Sequence, residues 1–309
     1  MEGIYFLILA FLTAFSSIKL SKYGDILSKQ TKLGSALIGG ILIASITSLP
    51  EFVTSVSAVV IDNPALSFGD ILGSNMFNIF ILAIYNIVLF KKDLFKNVSS
   101  KYIFECILLI FEYIVILIAT HLNFLDICTI LLFISYGIYI FKVMKNNKDE
   151  NNNKLVESYA LIKFLICAVI LIALSILLTL QADKITSMYP KISSSTIGAI
   201  LLGITTSLPE VVSTLALIQM NNYNMAISNI LGSNIFNFLV LGLSDLFVSN
   251  NDIYHYCNKY TYMYLYGGII VTSLLCFIIF NKNRTKLYYF TISILMIFSY
   301  LLVWYFQFK

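Results

Sequence analysis

The segment Ile38 to Asn78, IGGILIASITSLPEFVTSVSAVVIDNPALSFGDILGSNMFN, returns 159 residues later as Ile197 to Asn237, IGAILLGITTSLPEVVSTLALIQMNNYNMAISNILGSNIFN. No gap is needed, and 18 of the 41 aligned positions are identical. Matches of Ile and Leu arise from composition alone in two apolar stretches. Thr-Ser-Leu-Pro-Glu and Gly-Ser-Asn-x-Phe-Asn in register twice do not, so the chain is a duplicated unit.

The rest of the sequence says where that unit lives. Of 309 residues 59% are hydrophobic and 12% charged, with a mean hydropathy of +0.87. A soluble fold could not bury so much apolar surface, which excludes soluble enzymes and nucleic-acid binders. Unbroken apolar runs, without strand-like alternation, exclude a membrane barrel. Runs long enough to cross a bilayer lie near 5–20, 35–60, 66–90, 102–120 and 124–144, then near 160–180, 196–220, 225–248, 260–280 and 287–306. The sequence thus predicts an all-α membrane protein, ten transmembrane helices arranged as two inverted five-helix repeats: residues 1–144, a polar linker at 145–157, and residues 158–309. Inversion follows from the odd number of crossings per unit. Asp149-x-Asn151-x-Asn153 in the linker brushes a calcium-loop pattern, but Lys154 and Ala160 occupy positions that need Gly and Glu.

With ten crossings, 16 of the 20 Lys and Arg residues fall on the side of the linker. The positive-inside rule makes that side cytoplasmic and puts both termini outside, with the plasma membrane as the expected location. Glu2 leads into the first apolar run without a basic stretch, so that run is expected to be retained as a span. The tyrosines from Tyr254 to Tyr266 read as an interfacial belt. Five scattered cysteines form no metal or disulfide pattern.

The two motifs carry the chemistry. Pro50 and Pro209 lack an amide donor in mid-span, so the carbonyls of Ile46 and Thr205 lose their helical partners and the helices open. Freed carbonyls at membrane depth line protein or water and suit a hard cation. Thr47, Ser48, Thr206 and Ser207 add neutral oxygens, and Glu51 and Glu210 add two negative charges, a match for a divalent ion such as calcium. Asp70, Ser74 and Asn78 share one helix face, as do Asn229, Ser233 and Asn237. Without thiolate or imidazole in the set, sodium, calcium, magnesium and manganese all remain open. Any single Ser or Thr here could equally serve helix packing. A symmetric, proline-adjacent glutamate pair has little packing rationale.

Gly39 with Thr47-Ser48-Leu49-Pro50-Glu51 and Gly73-Ser74-Asn75-x-x-Asn78, and the second copy from Gly198 to Asn237, resemble the two alpha repeats of the sodium/calcium exchanger family, in its small prokaryotic type. The resemblance implies a calcium/sodium antiporter working by alternating access, with no cofactor and with calcium and sodium as substrates. It implies a site walled by spans 2, 3, 7 and 8, with spans 1 and 6 sliding across it. Glu51 and Glu210 would coordinate calcium; sodium would use Thr47, Ser48, Thr206, Ser207, Ser74, Ser233, Asn78, Asn237 and the carbonyls of Ala44 and Gly203. Three positions depart from the family pattern. Asn237 stands where many members carry Asp, which disfavours the potassium-dependent branch. Ile46 and Thr205 replace a usual Gly. Asp70 replaces a usual Asn, as a third carboxylate or as the cap of span 3; the cap is the preferred reading.

A proton-coupled divalent exchanger is the alternative, since both glutamates can carry protons. A passive channel and, remotely, an intramembrane aspartyl protease built on Gly69-Asp70 and Pro64-Ala65-Leu66 complete the set. Glu105 and Glu112 in span 4 are either part of an ion path or protonated partners of a tyrosine. Oligomeric state is open, and a monomer is compatible with the pattern.

Overall fold

The computed structural model describes residues 2–30, 34–92, 94–120, 125–146, 158–186, 202–248, 252–281 and 284–307. Every regular element among them is helical. Besides four short 3-10 turns, they are in chain order α1 (Glu2–Gln30), α2 (Gly34–Leu37), a π-helical turn (Ile38–Ile43), α3 (Ala44–Thr47), α4 (Leu49–Val60), α5 (Pro64–Val88), α6 (Ile103–Ala119), α7 (Leu125–Asn146), α8 (Ser158–Thr186), α9 (Gly203–Thr206), α10 (Leu208–Gln219), α11 (Tyr223–Asp245), α12 (Lys259–Phe280) and α13 (Lys286–Gln307).

Among the described residues eight helices are long and apolar enough to cross a membrane unaided. A ninth crossing is broken: Ile38–Thr47 meets Leu49–Val60 at a bend of 44°. The second repeat shows the same break, α9 giving way to α10 at Ser207. The segment 187–201 before it, and the linker from 147 to 157, lie outside the described residues. The breaks fall at Ser48 and Ser207, each with ψ near zero, and the prolines occupy the first turn of the helix that follows. Proline fits there because those amides have no partner in any helix.

The mirrored sequences fold into mirrored corners. Asp62 and Asn221, 159 positions apart, are the non-glycine residues with positive φ among the described residues, at 62° and 59°. The amide after each reaches back to Ala58 or Leu217 at 2.8 and 2.9 Å, closing the helix end. Asn63 and Asn222 then stand at the N-cap positions of α5 and α11, and the Asn222 side chain accepts the Met225 amide.

α5 and α11 are the most buried of the spanning helices, whereas α1 and α8 pair lengthwise and present Phe11, Phe15, Leu165 and Val169 outward. The π turn lies on α11 at very short range. A side chain at Gly232 would run into the Gly40 carbonyl, and one at Gly40 would strike Tyr139 and Ser228. That carbonyl accepts the Tyr139 hydroxyl at 2.7 Å, one of the partners an irregular turn requires. Two of the belt tyrosines lie inside instead. Tyr254 and Tyr264 are buried, the latter donating to Gln307 at 2.8 Å.

Gly232→Ala is therefore expected to destabilise the protein by about 1–3 kcal/mol through overpacking. Gly137→Ala, where a methyl group meets nothing within 4 Å, is expected to be neutral. Thermal unfolding in detergent compares them.

Candidate functional site

The two helix breaks bring the first turns of α4 and α10 to the middle of the bundle, and each of those turns holds a glutamate. Both Glu51 and Glu210 are fully buried. The halves are joined crosswise: Ser48 Oγ donates to Glu210 Oε1 at 2.8 Å, and Ser207 Oγ donates to Glu51 Oε1 at 3.1 Å. Because the partners are related by the 159-residue offset, the pair of bonds marks a pseudo-twofold axis between the repeats.

The axis continues into α5 and α11. Ser74 Oγ donates to the Gly203 carbonyl at 3.1 Å, and Ser233 Oγ to the Ala44 carbonyl at 3.5 Å. Thr206 Oγ1 lies 3.4 Å from Ser74 Oγ, while Thr47 and Ser233 lie beside the Glu210 carboxyl. Asn75 and Asn234 exchange amide-to-carbonyl bonds of 3.2 and 3.0 Å. Their side-chain oxygens then accept the amide groups of Asn237 and Asn78, at 3.0 and 2.9 Å.

These bonds decide the electrostatics. With the NH2 groups of Asn78 and Asn237 engaged, their Oδ1 atoms are left buried and unpartnered among the described residues, as are Glu51 Oε2 and Glu210 Oε2. All four atoms are acceptors. No lysine or arginine partners either glutamate among the described residues, so the protein leaves two buried carboxyls without a counter-charge. Such a group is stable only when a cation or a proton supplies it. The oxygens are hard and number enough to replace much of a hydration shell. Among the described residues no group of three or more His, Cys, Asp or Glu forms a conventional metal cluster.

Of the residues the sequence proposed, Thr47, Ser48, Glu51, Ser74, Thr206, Ser207, Glu210 and Ser233 bond to one another, to the Ala44 and Gly203 carbonyls or to the two glutamates, Asn78 and Asn237 bond within the asparagine network, and Asn229 bonds Ser213 and Thr214 of its own half. Three readings change. Asp70 is not a cap, because α5 begins at Pro64 with Asn63 before it and Asp70 is fully buried further along. Its carboxyl accepts Ser55 and Thr206, each at 3.2 Å. Glu112 bonds to Ser135 of α7, not to a tyrosine, and partners neither glutamate. Asn75 and Asn234, which sequence reasoning passed over, orient the other two asparagines. Their signal was the three-residue spacing to Asn78 and Asn237, close to one helical turn.

Two half-broken helices meeting head to head around buried acids define a membrane cation transporter of inverted-repeat type. A family model described as sodium/calcium exchanger protein matches residues 2–145 and 159–309. The chain belongs to the sodium/calcium exchanger family and is a cation/calcium exchanger, not an enzyme, which removes the protease reading. An uncharacterized membrane protein of Methanocaldococcus jannaschii, MJ0091, is 29% identical over 75% of this chain and 76% of its own length. The inner membrane protein YrbG of Escherichia coli is 26% identical over 86% of this chain and 85% of its own. Among solved structures, the sodium-calcium exchanger NCX_Mj soaked with sodium and strontium superposes with a TM-score of 0.75 at 22% identity, covering 97% of this chain and 96% of that one. At that identity the likeness concerns the fold.

Asn75→Ala removes the bond from its side-chain amide to the Asn234 carbonyl and the Oδ1 that accepts Asn237, while the Asn234 amide keeps the main-chain carbonyl of residue 75. A loss of about 1–3 kcal/mol is expected from the buried groups left unpaired, measured as a lower unfolding midpoint in detergent.

Proposed function

We propose that this protein is a secondary active antiporter exchanging calcium for sodium across a cell membrane by alternating access. The observation that carries the reading is the crosswise Ser–Glu pair together with four buried acceptor oxygens that have no hydrogen-bond partner among the described residues. Calcium would bind between Glu51 and Glu210 with help from Asn78 and Asn237. Sodium ions would occupy the same carboxyls and the flanking sets: Ser74, Thr206, Ser207 and the Gly203 carbonyl on one side, and Ser233, Thr47, Ser48 and the Ala44 carbonyl on the other.

Exchange follows from competition. An empty centre would bury unpaired carboxylates, so the occluded state is passable only when loaded, and one ion must replace the other before the bundle can reorient. α1 and α8, the outward-facing pair, would slide across the centre, with both termini outside and the linker cytoplasmic, a placement the lysine distribution supports. The gradient of one ion then drives the other, and the relative gradients set the direction.

Calcium uptake into sodium-loaded proteoliposomes is expected to rise with the imposed sodium gradient; uptake indifferent to that gradient excludes sodium coupling. Glu51→Gln and Glu210→Gln are each expected to lower exchange by at least about 100-fold, as loss of a metal ligand or its orienting partner does, while the protein still inserts. Wild-type rates in either variant reject the site. One feature favours a second reading, proton coupling: each glutamate has one oxygen held by a serine and one unpartnered, so each can accept a proton in place of sodium. Strong calcium flux under a pH gradient without sodium selects it.

A further inference from the structure

Asp25 is a buried acid outside the central site, near the end of α1. Its Oδ1 accepts the side-chain amide of Asn222 at 2.8 Å, and its Oδ2 pairs at 2.7 Å with Lys29, whose own side chain is exposed. Asn222 is oriented from the other side. At the N-cap of α11 its Oδ1 accepts the Met225 amide at 3.3 Å, which leaves its NH2 group to Asp25 and the Met225 sulfur. The corner between α10 and α11 is itself anchored to the core, Lys92 donating to Asn221 Oδ1 at 2.7 Å and the Ser99 amide to Asn224 Oδ1 at 2.8 Å. α1 is seated close against that corner: a side chain at Gly24 would meet Ile43 of the π turn and Met225 of α11 at 2.7 and 3.1 Å.

The two ends of the α1–α8 pair are built differently. These helices run antiparallel, since Ser16 donates to the Cys167 carbonyl and Lys163 lies over the Tyr23 ring. The Asp25 end is therefore the end next to the linker, where α8 begins at Ser158. At the 159-residue offset, Asp25 and Asn222 are matched by Lys184 and Asn63. An ammonium group accepts no hydrogen bond, so the Asn222 arrangement is not repeated at the far end, and Lys184 is exposed. There Leu180 of α8 shares a cavity with Thr54, Ile61, Leu66 and Leu202. A charge-assisted bond thus ties the pair to the bundle at the linker end, and a cavity borders it at the other.

We propose that Asp25 is a positioning residue of the exchange cycle: its bond to Asn222 latches α1 onto the α10–α11 corner, keeps the linker-side end of the centre closed, and must break each time α1 and α8 slide. The inference rests on the sliding step of the antiport reading and names the contact that opposes it.

Leu27, two residues further on, is buried at the same end of α1. In detergent-purified protein the rate at which Leu27→Cys reacts with a charged thiol reagent reads the opening of that end and requires no exchange. Adding Asp25→Ala is expected to raise the rate by about 10-fold, the change in an equilibrium that loss of one hydrogen bond to a charged group produces. Asp25→Asn, which keeps an acceptor oxygen for Asn222 but not the pair with Lys29, is expected to give a smaller rise. Native Cys106, buried in α6, controls for general loosening. No acceleration in either variant, or equal acceleration at Cys106, would overturn the proposal. Should Asp25→Ala fail to fold, Asp25→Asn decides by the same criterion. Transport supplies an independent arm. A short bifunctional thiol reagent bridging Asp25→Cys and Asn222→Cys is expected to arrest calcium–sodium exchange in proteoliposomes, with recovery on reduction and no such arrest in either single variant. Undiminished exchange by the bridged protein removes the latch. Wild-type protein that exchanges no calcium for sodium rejects antiport, while the labelling comparison still decides whether Asp25 holds α1.

Discussion

Two carboxyl groups held in the middle of an apolar bundle, each tied by a serine of the opposite repeat, impose the condition that the remainder of the molecule meets. A buried carboxylate is tolerable only with a counter-charge and satisfied lone pairs. Here the serine bonds satisfy one oxygen of each glutamate, and the other has no hydrogen-bond partner among the described residues. In the antiport reading proposed above, a cation or a proton supplies that charge, and the loaded centre is the one whose charge is balanced.

The fold spends its regularity to reach this arrangement. Continuous helices would send Glu51 and Glu210 past one another along parallel rods. Breaking each helix at a serine, with proline in the following first turn, places the amino-terminal end of a half-helix at the centre, where its free amides and partial positive charge favour acids and their ligands. The irregular turn before α3 is admitted because Gly40 and Gly232 let two backbones touch and because Tyr139 supplies a donor. The asparagine quartet does comparable work in α5 and α11. It engages the amide groups of Asn75, Asn78, Asn234 and Asn237 between the helices and leaves the Oδ1 atoms of Asn78 and Asn237 without a partner among the described residues.

Symmetry supplies the scaffold: the duplicated segments give two similar half-sites, the pattern of inverted-repeat transporters. The halves are not identical, since Asp70 stands where its counterpart is Asn229, and the two bond differently, Asp70 across the repeats and Asn229 within its own.

The linear order of residues was enough to establish duplication, membrane insertion, inversion and the glutamate pair, because each of these is written in spacing: a 159-residue offset, runs of spanning length, odd crossings, acids beside prolines. It also grouped Ser74 with Asn78 and Ser233 with Asn237, since positions four apart share a helix face. Asp70 was misjudged because an aspartate near a helix start and an aspartate inside a site look alike until Asn63 and Pro64 are seen to begin the helix. The roles of Asn75 and Asn234, the Glu112–Ser135 bond and the contact from Asp70 to Thr206 were not legible at all. Spacing along a chain says which side chains share a face, but which faces then meet depends on how two antiparallel halves pack, and that is a property of their joint shape alone.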